Sequence, residues 1–293
     1  MPLFPSSAGR RIGIYGTGRL AGALAEAIGA LPDAPLIGVS GRAPGRAQEL
    51  ARRVHVRVWS PRELLQQVDL LLLVVADDAL VEVSAGLAAL PVRVPGSVVH
   101  CSGALGPSVL AAFAARGCRT AAWHPLWCFP PEGRVEPCAW TIAGGAEPLR
   151  VDLIELTRRL GGSPRVMTEG DRGTYHAAAV LASNLPMALL AQACVLLEEN
   201  GFTGDEAAEA LLPLTRSACA AVERVGLPAG ITGPVVRGDV GTLRRHLEAL
   251  HGHPETDRLY RLLSLSVLDL LPGLGEEARR EVRRVFFDEK HCC

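Results

Sequence analysis

Gly16, Gly18 and Ala21 stand in the spacing Gly-x-Gly-x-x-Ala, between the apolar run ending at Tyr15 and an Ala- and Leu-rich segment. A first glycine permits a tight turn, and a second lets a pyrophosphate approach the backbone. A small third residue lets a helix lie close to its strand, with free N–H groups facing the anion. Gly16, Thr17, Gly18, Arg19 and Leu20 are therefore expected to hold the phosphates of a dinucleotide; a ligand-free glycine turn is the plainer alternative. The next apolar run decides which dinucleotide. An NAD site places a carboxylate at its end to accept from the ribose hydroxyls, but the residues here are Val39-Ser40-Gly41-Arg42, with Arg46 four further on. A hydroxyl and two guanidiniums suit a 2'-phosphate, so the expected cofactor is NADP(H). The alternative, that Arg42 and Arg46 are solvated loop charges, stays open.

Other chemistry-bearing residues follow further apolar runs. They are Ala76-Asp77-Asp78, His100-Cys101-Ser102-Gly103 and His124-Pro125. In an open parallel sheet, ligands lie beyond the carboxyl ends of the strands, so Ala76, Asp77 and Cys101 are expected beside the cofactor. Ser102 either caps the following helix or touches substrate or nicotinamide. His124, held extended by the proline after it, is a candidate proton donor or substrate contact; a strand-capping histidine satisfied by backbone is the alternative, as it is for His100. Further on, His176, Val180, Ser183 and Asn184 fall on one face of a helix at about 100° per residue. Arg237 and Asp239 sit in a break between helices, where a capped turn would explain them as well as a substrate contact.

The elements that must position these residues show in the pattern of apolar spacing. Strand and helix signals alternate from Arg11 to Thr168, with a doubly apolar run at Leu70–Val75. This predicts an α/β, doubly wound parallel sheet domain. From Asp171 only helical spacing remains, over 174–200, 205–225, 240–250, 256–271 and 276–287. The expected domains are residues 1–170, binding the dinucleotide, and 171–293, an all-α domain for substrate and dimerisation; neither repeats nor low-complexity tracts interrupt them.

Composition excludes several function classes. The chain has 293 residues, 48% hydrophobic and 21% charged, with net charge -1, which argues against disorder and against a global field for nucleic acid or anionic membranes. Lys290 is the sole lysine among 30 basic residues, so Schiff-base and Walker-type lysine chemistry is excluded from the body of the chain. The eight cysteines form no C-x-x-C pair, and no metal site is expected; His291-Cys292-Cys293 reads as a tail. The longest uninterrupted apolar stretch, Leu70–Ala76, is short of a membrane span. The start lacks a signal-peptide pattern, and a cytoplasmic location is expected.

Taken together, Gly16-Thr-Gly-Arg19, Ala76-Asp-Asp78, His100-Cys-Ser-Gly-Ala-Leu105, His124-Pro125, Tyr175-His-Ala-Ala-Ala-Val-Leu-Ala-Ser-Asn184, Thr232-Gly-Pro-Val-Val-Arg-Gly-Asp239 and His246-Leu-Glu-Ala-Leu250 resemble the Rossmann-like proteins carrying the domain of unknown function 2520. The resemblance runs from about Ile12 to Tyr260. It places the chain near the 6-phosphogluconate dehydrogenase-like superfamily and implies an NADP oxidoreductase of unassigned substrate, with a helical domain that often builds a homodimer. Related hydroxyacid dehydrogenases carry a catalytic lysine four residues before an asparagine; here Val180 precedes Asn184 by four. A proton would have to come from His176 first or His124 second, with Asn184 and Arg237 positioning a small C=O or C=N substrate between the domains and Asp239 orienting Arg237 or His246. Two other readings remain: a non-catalytic NADP(H)-binding regulatory protein, and a reductase using a deazaflavin coenzyme.

Overall fold

The computed structural model describes residues 10–32, 36–130, 134–167 and 171–287. Lys290, the His291-Cys292-Cys293 tail, the N-terminal leader and Gly170 lie outside these. The elements run β1 (Ile12–Tyr15), α1 (Arg19–Gly29), β2 (Leu36–Ser40), α2 (Pro44–Arg53), β3 (Arg57–Val58), α3 (Pro61–Gln67), β4 (Leu70–Leu73), α4 (Asp77–Ala88) and β5 (Ser97–His100). A 3-10 turn over Pro107–Leu110 then enters α5 (Ala111–Ala114), followed by β6 (Arg119–Pro125), β7 (Ala139–Gly144), α6 (Glu147–Arg159), β8 (Ser163–Met167) and α7 (Arg172–Ala182).

All eight strands join one sheet in the order β3-β2-β1-β4-β5-β6-β7-β8. Alternate residues of the central strands face opposite layers. Leu70 and Leu72 pack with Leu24 and Ile28 of α1 and Leu149 and Leu153 of α6; Leu71 and Leu73 pack with Leu64 of α3, Leu80 of α4 and Phe113 of α5. Helices on both faces make the sheet doubly wound, and β4 reads as four leucines because both its faces are buried. The expected parallel sheet is found, with one exception: β6 and β7 pair antiparallel. Among the described residues linking them no helix forms, and without a crossover helix the chain turns back beside its own strand. β8 then returns parallel to β7 across α6. The edge strand β3 is short, with only two residues, both exposed.

The chain divides into two compact units, Met1–Ser183 and Asn184–Cys293. The sequence pattern changes at 170, but α7 stays with the sheet unit, tied to it by side chains described below. The second unit holds α8 (Asn184–Glu198), α9 (Gly204–Val225), α10 (Pro234–Arg237), α11 (Val240–Ala249), α12 (Pro254–Asp269) and α13 (Glu276–Phe287). Its own core gathers Leu243 and Leu247 of α11, Leu268 of α12 and Val282, Val285 and Phe286 of α13. The single helix expected over 174–200 is two: the helical backbone lapses at Ser183, whose hydroxyl donates back to the Ala179 carbonyl at 2.7 Å. By length and composition Arg172–Glu198 could cross a membrane. Counting uninterrupted apolar residues misses it because Ser183, Asn184 and Gln192 punctuate the run.

Candidate functional site

The carboxyl ends of β1, β4, β5 and β6 converge on a cavity of about 600 Å³. Its wall includes Gly16, Thr17, Gly18, Arg19 and Leu20 at the start of α1, and Arg42 and Arg46 after β2. Ala76 and Asp77 line it after β4, Cys101, Ser102 and Gly103 after β5, His124 at the end of β6, and His176 on α7. All of these belong to the first unit. Ser40 is buried behind the glycine turn, where its carbonyl accepts the Gly16 N–H at 2.9 Å. Asn184, Arg237 and Asp239 belong to the second unit. There Asp239 is the N-cap of α11, its carboxylate accepting from the Thr242 N–H at 3.0 Å. That bond, with the charges of Arg237 and Arg245, holds the carboxyl below its ordinary range. His246, the other residue Asp239 was expected to orient, pairs through Nδ1 with the Tyr260 hydroxyl at 2.8 Å.

The glycine turn has the form an anion needs. Gly16 has φ +145°, and a Cβ there would stand 1.9 Å from the Val74 carbonyl oxygen, so only glycine fits. A Cβ on Gly18 would meet nothing within 4 Å, leaving the backbone open toward the cavity. Gly18 caps α1 without a side-chain hydrogen bond, so the first N–H groups of that helix are presented to whatever the cavity holds. The exposed guanidiniums of Arg42 and Arg46 stand at the same wall. The residues present therefore fit a dinucleotide: backbone for the pyrophosphate, two arginines for a further phosphate.

The loop after β5 is set by His100. Its Nδ1 accepts the Ser102 N–H at 3.2 Å, so Nε2 carries the proton and donates to the Gly106 carbonyl at 3.1 Å. Fully buried, it is pushed down to about 4 by desolvation and stays neutral, a structural strut and not a ligand contact. Ser102 is likewise committed, its hydroxyl accepting the Leu105 N–H at 3.0 Å and its carbonyl the Arg172 guanidinium at 2.8 Å. Burial pushes the Cys101 thiol up to about 12, which removes it as a nucleophile.

Two imidazoles close on Gly103. A Cβ there would stand 2.7 Å from His176 Nδ1 and 2.8 Å from His124 Nε2. His176 Nδ1 is buried and has no hydrogen-bond partner among the described residues. The other ring nitrogen of His124, Nδ1, meets the Tyr175 hydroxyl at 2.8 Å, and the Thr141 hydroxyl lies 2.9 Å from the same Tyr175 oxygen. Burial is the main reason His124 is pushed down to about 4, with the positive charge of Arg172 next. The Arg172 guanidinium lies 4.7 Å from the centre of the Tyr175 ring. Stacking of Trp123 on Trp140, 4.2 Å between rings, and the bond from Trp123 Nε1 to Thr157 at 2.8 Å fix the strand that carries His124. Thr141, Arg172 and Tyr175 were not singled out by sequence reasoning. Thr141 hides in an apolar strand, and Tyr175 and Arg172 show only through the proximity of His176.

Comparison with known proteins agrees with this architecture. Residues 6–125 match the Rossmann-like domain, and residues 138–267 match the Domain of unknown function (DUF2520). No curated protein sequence matches the chain. Among solved structures, a protein of Bacteroides fragilis described provisionally as an NADP oxidoreductase is similar over 89% of this chain and 99% of its own, with 24% identity and a TM-score of 0.73. A pyrroline-5-carboxylate reductase of Streptococcus pyogenes is 17% identical over 94% of this chain and 98% of its own, TM-score 0.64. A reductive aminase of Aspergillus terreus, solved with NADPH and ethyl-5-oxohexanoate, is 16% identical over 96% of this chain and 93% of its own, TM-score 0.59. At these identities the likeness is one of fold. The chain thus carries a Rossmann-like domain followed by the domain of unknown function 2520.

Proposed function

We propose that the protein is an NADP(H)-dependent oxidoreductase that moves hydride between the nicotinamide and a small C=O or C=N substrate. The observation that carries this reading is the cavity at the strand ends, which joins an uncapped glycine turn and helix start, two arginines and two histidines in one wall. Gly16 to Leu20 would hold the pyrophosphate, Arg42 and Arg46 the 2'-phosphate, and Ala76, Asp77 and Cys101 would border the rest of the coenzyme. When bound, the nicotinamide supplies or accepts the hydride. The residues of this chain do the remaining work: His124 and His176 face the place where a substrate oxygen or nitrogen changes its proton. The pyrroline-carboxylate reductase and reductive aminase among the similar folds support a C=N or C=O substrate.

The test is a calorimetric titration with NADPH and NADH. Saturable NADPH binding, at least tenfold weaker in Arg42→Ala, supports the reading, and a screen of oxo and imine compounds for NADPH oxidation follows. Binding to neither nucleotide would end it.

We also propose that the second unit forms a homodimer. Leu185, Met187, Leu189 and Val195 of α8 are exposed, between 36% and 49%, and a helix that leaves apolar side chains open on more than one side asks for a partner. A membrane is the weaker candidate. Arg172 and Tyr175 commit α7 to polar contacts within the sheet unit, which leaves the 15 residues of α8, roughly 22 Å of helix against a hydrocarbon core of about 30 Å.

A further inference from the structure

The Tyr175 hydroxyl lies between two polar atoms, Thr141 Oγ1 at 2.9 Å and His124 Nδ1 at 2.8 Å. Two proton arrangements satisfy such a chain. In one, Thr141 donates to Tyr175 and Tyr175 donates to His124 Nδ1, so that His124 carries its proton on Nε2. In the other the chain reverses: His124 Nδ1 donates to Tyr175, Tyr175 to Thr141, and Thr141 to the His124 carbonyl.

Geometry separates them. The reversed chain ends on a Thr141 to His124 carbonyl contact of 3.4 Å, well beyond the usual length of an O–H···O bond, whereas the forward chain uses only the two short contacts. Burial points the same way. It holds the Tyr175 phenol above its ordinary range, only partly offset by Thr141 and Arg172, so the phenol keeps a proton to donate, and burial first, with the charge of Arg172 next, keeps His124 uncharged. A neutral imidazole whose Nδ1 accepts must carry hydrogen on Nε2, and Nε2 is the atom that faces Gly103 at the cavity wall.

We infer that Tyr175 is a positioning residue, supported by Thr141, that fixes His124 as the neutral Nε2–H tautomer and so makes His124, ahead of His176, the hydrogen-bond donor to a substrate carbonyl oxygen or imine nitrogen. No atom within hydrogen-bond distance plays this part for His176 Nδ1 among the described residues. The inference rests on the oxidoreductase reading for its substrate atom, but the tautomer itself does not depend on turnover.

The test is long-range ¹H–¹⁵N correlation on the full chain labelled with ¹⁵N-histidine at pH 7.5, with His124 identified by the signals that vanish in His124→Asn. The expected wild-type pattern is a protonated Nε2 and an unprotonated, hydrogen-bonded Nδ1. Tyr175→Phe should mix the two tautomers while the remaining histidine signals keep their positions, which also shows that the variant is folded; Thr141→Val should give a smaller shift in the same direction. A protonated Nδ1 in the wild type, or an unchanged tautomer in Tyr175→Phe, would overturn the inference. A parallel NADPH titration separates the two claims: the expected tautomer without NADPH binding keeps the Tyr175 device and sinks the oxidoreductase reading, whereas NADPH binding with a protonated Nδ1 does the reverse.

Discussion

At the scale of single residues, two glycines of the same turn carry different burdens, and that difference can be measured. Gly16 has a left-handed φ and a carbonyl in the place of a side chain, so Gly16→Ala should lower the melting temperature by several degrees and abolish nucleotide binding. Gly18 has an ordinary φ of -79° and open space beside it; Gly18→Ala should keep the melting temperature within about a degree and weaken NADPH by tenfold or more, as expected where a methyl group stands between backbone and pyrophosphate. Equal losses of stability in both variants would contradict this division. The buried histidines make a second prediction. His100 and His124 have folded pKa values of about 4 against an ordinary value of 6.5, so the unfolded chain binds more protons between those limits. Stability is therefore full above pH 6.5 and falls as pH drops toward 4, by about 2 kcal/mol for one such histidine between pH 7 and pH 5. Denaturant melts at those two pH values check the sign, and His100→Asn should flatten the slope.

At the scale of elements, the strands that carry the site are legible in the sequence because burial on both faces leaves a signature. β4 is an unbroken run of leucines, and the glycine turn follows β1 directly. What was not legible depends on neighbours distant in sequence. The antiparallel β7 reads like any apolar strand, because direction is set by the missing crossover helix and not by Trp140 to Ala143. Tyr175 and Arg172 look like the polar start of a helix until the loop after β5 supplies the Ser102 carbonyl, and β6 supplies His124, as partners. α7 is thus a helix whose first turn serves the site, and its cap should matter out of proportion to its exposure. The Asp171 carboxylate accepts from the Gly173 N–H at 2.8 Å and from the Thr174 hydroxyl at 2.7 Å. Asp171→Ala should lower the melting temperature, whereas Asp171→Asn, an equally good cap, should leave it nearly unchanged. Hydrogen exchange of the Gly173 to Tyr175 amides should quicken in the alanine variant alone; equal exchange in both would show that α7 is held by Arg172 and Tyr175 without its cap.

At the scale of the whole molecule, the two units divide the polar and apolar burdens unevenly. The sheet unit buries Trp123, Trp140 and Phe113, whereas the helical unit leaves Leu185, Met187, Leu189, Leu214, Leu262 and Leu263 exposed. A surface of that kind on a chain of net charge -1 has little repulsion to keep copies apart. Light scattering should therefore report twice the chain mass of 31.0 kDa. Two charges one turn apart on α8, Leu185→Glu with Leu189→Glu, should shift the species to the monomer, since each would be buried unpaired in the dimer. NADPH affinity should survive that change, because the residues lining the cavity all come from the sheet unit. A monomer at every concentration, with flotation on phospholipid vesicles abolished by the same two substitutions, would instead assign the α8 face to a lipid surface and remove the dimer.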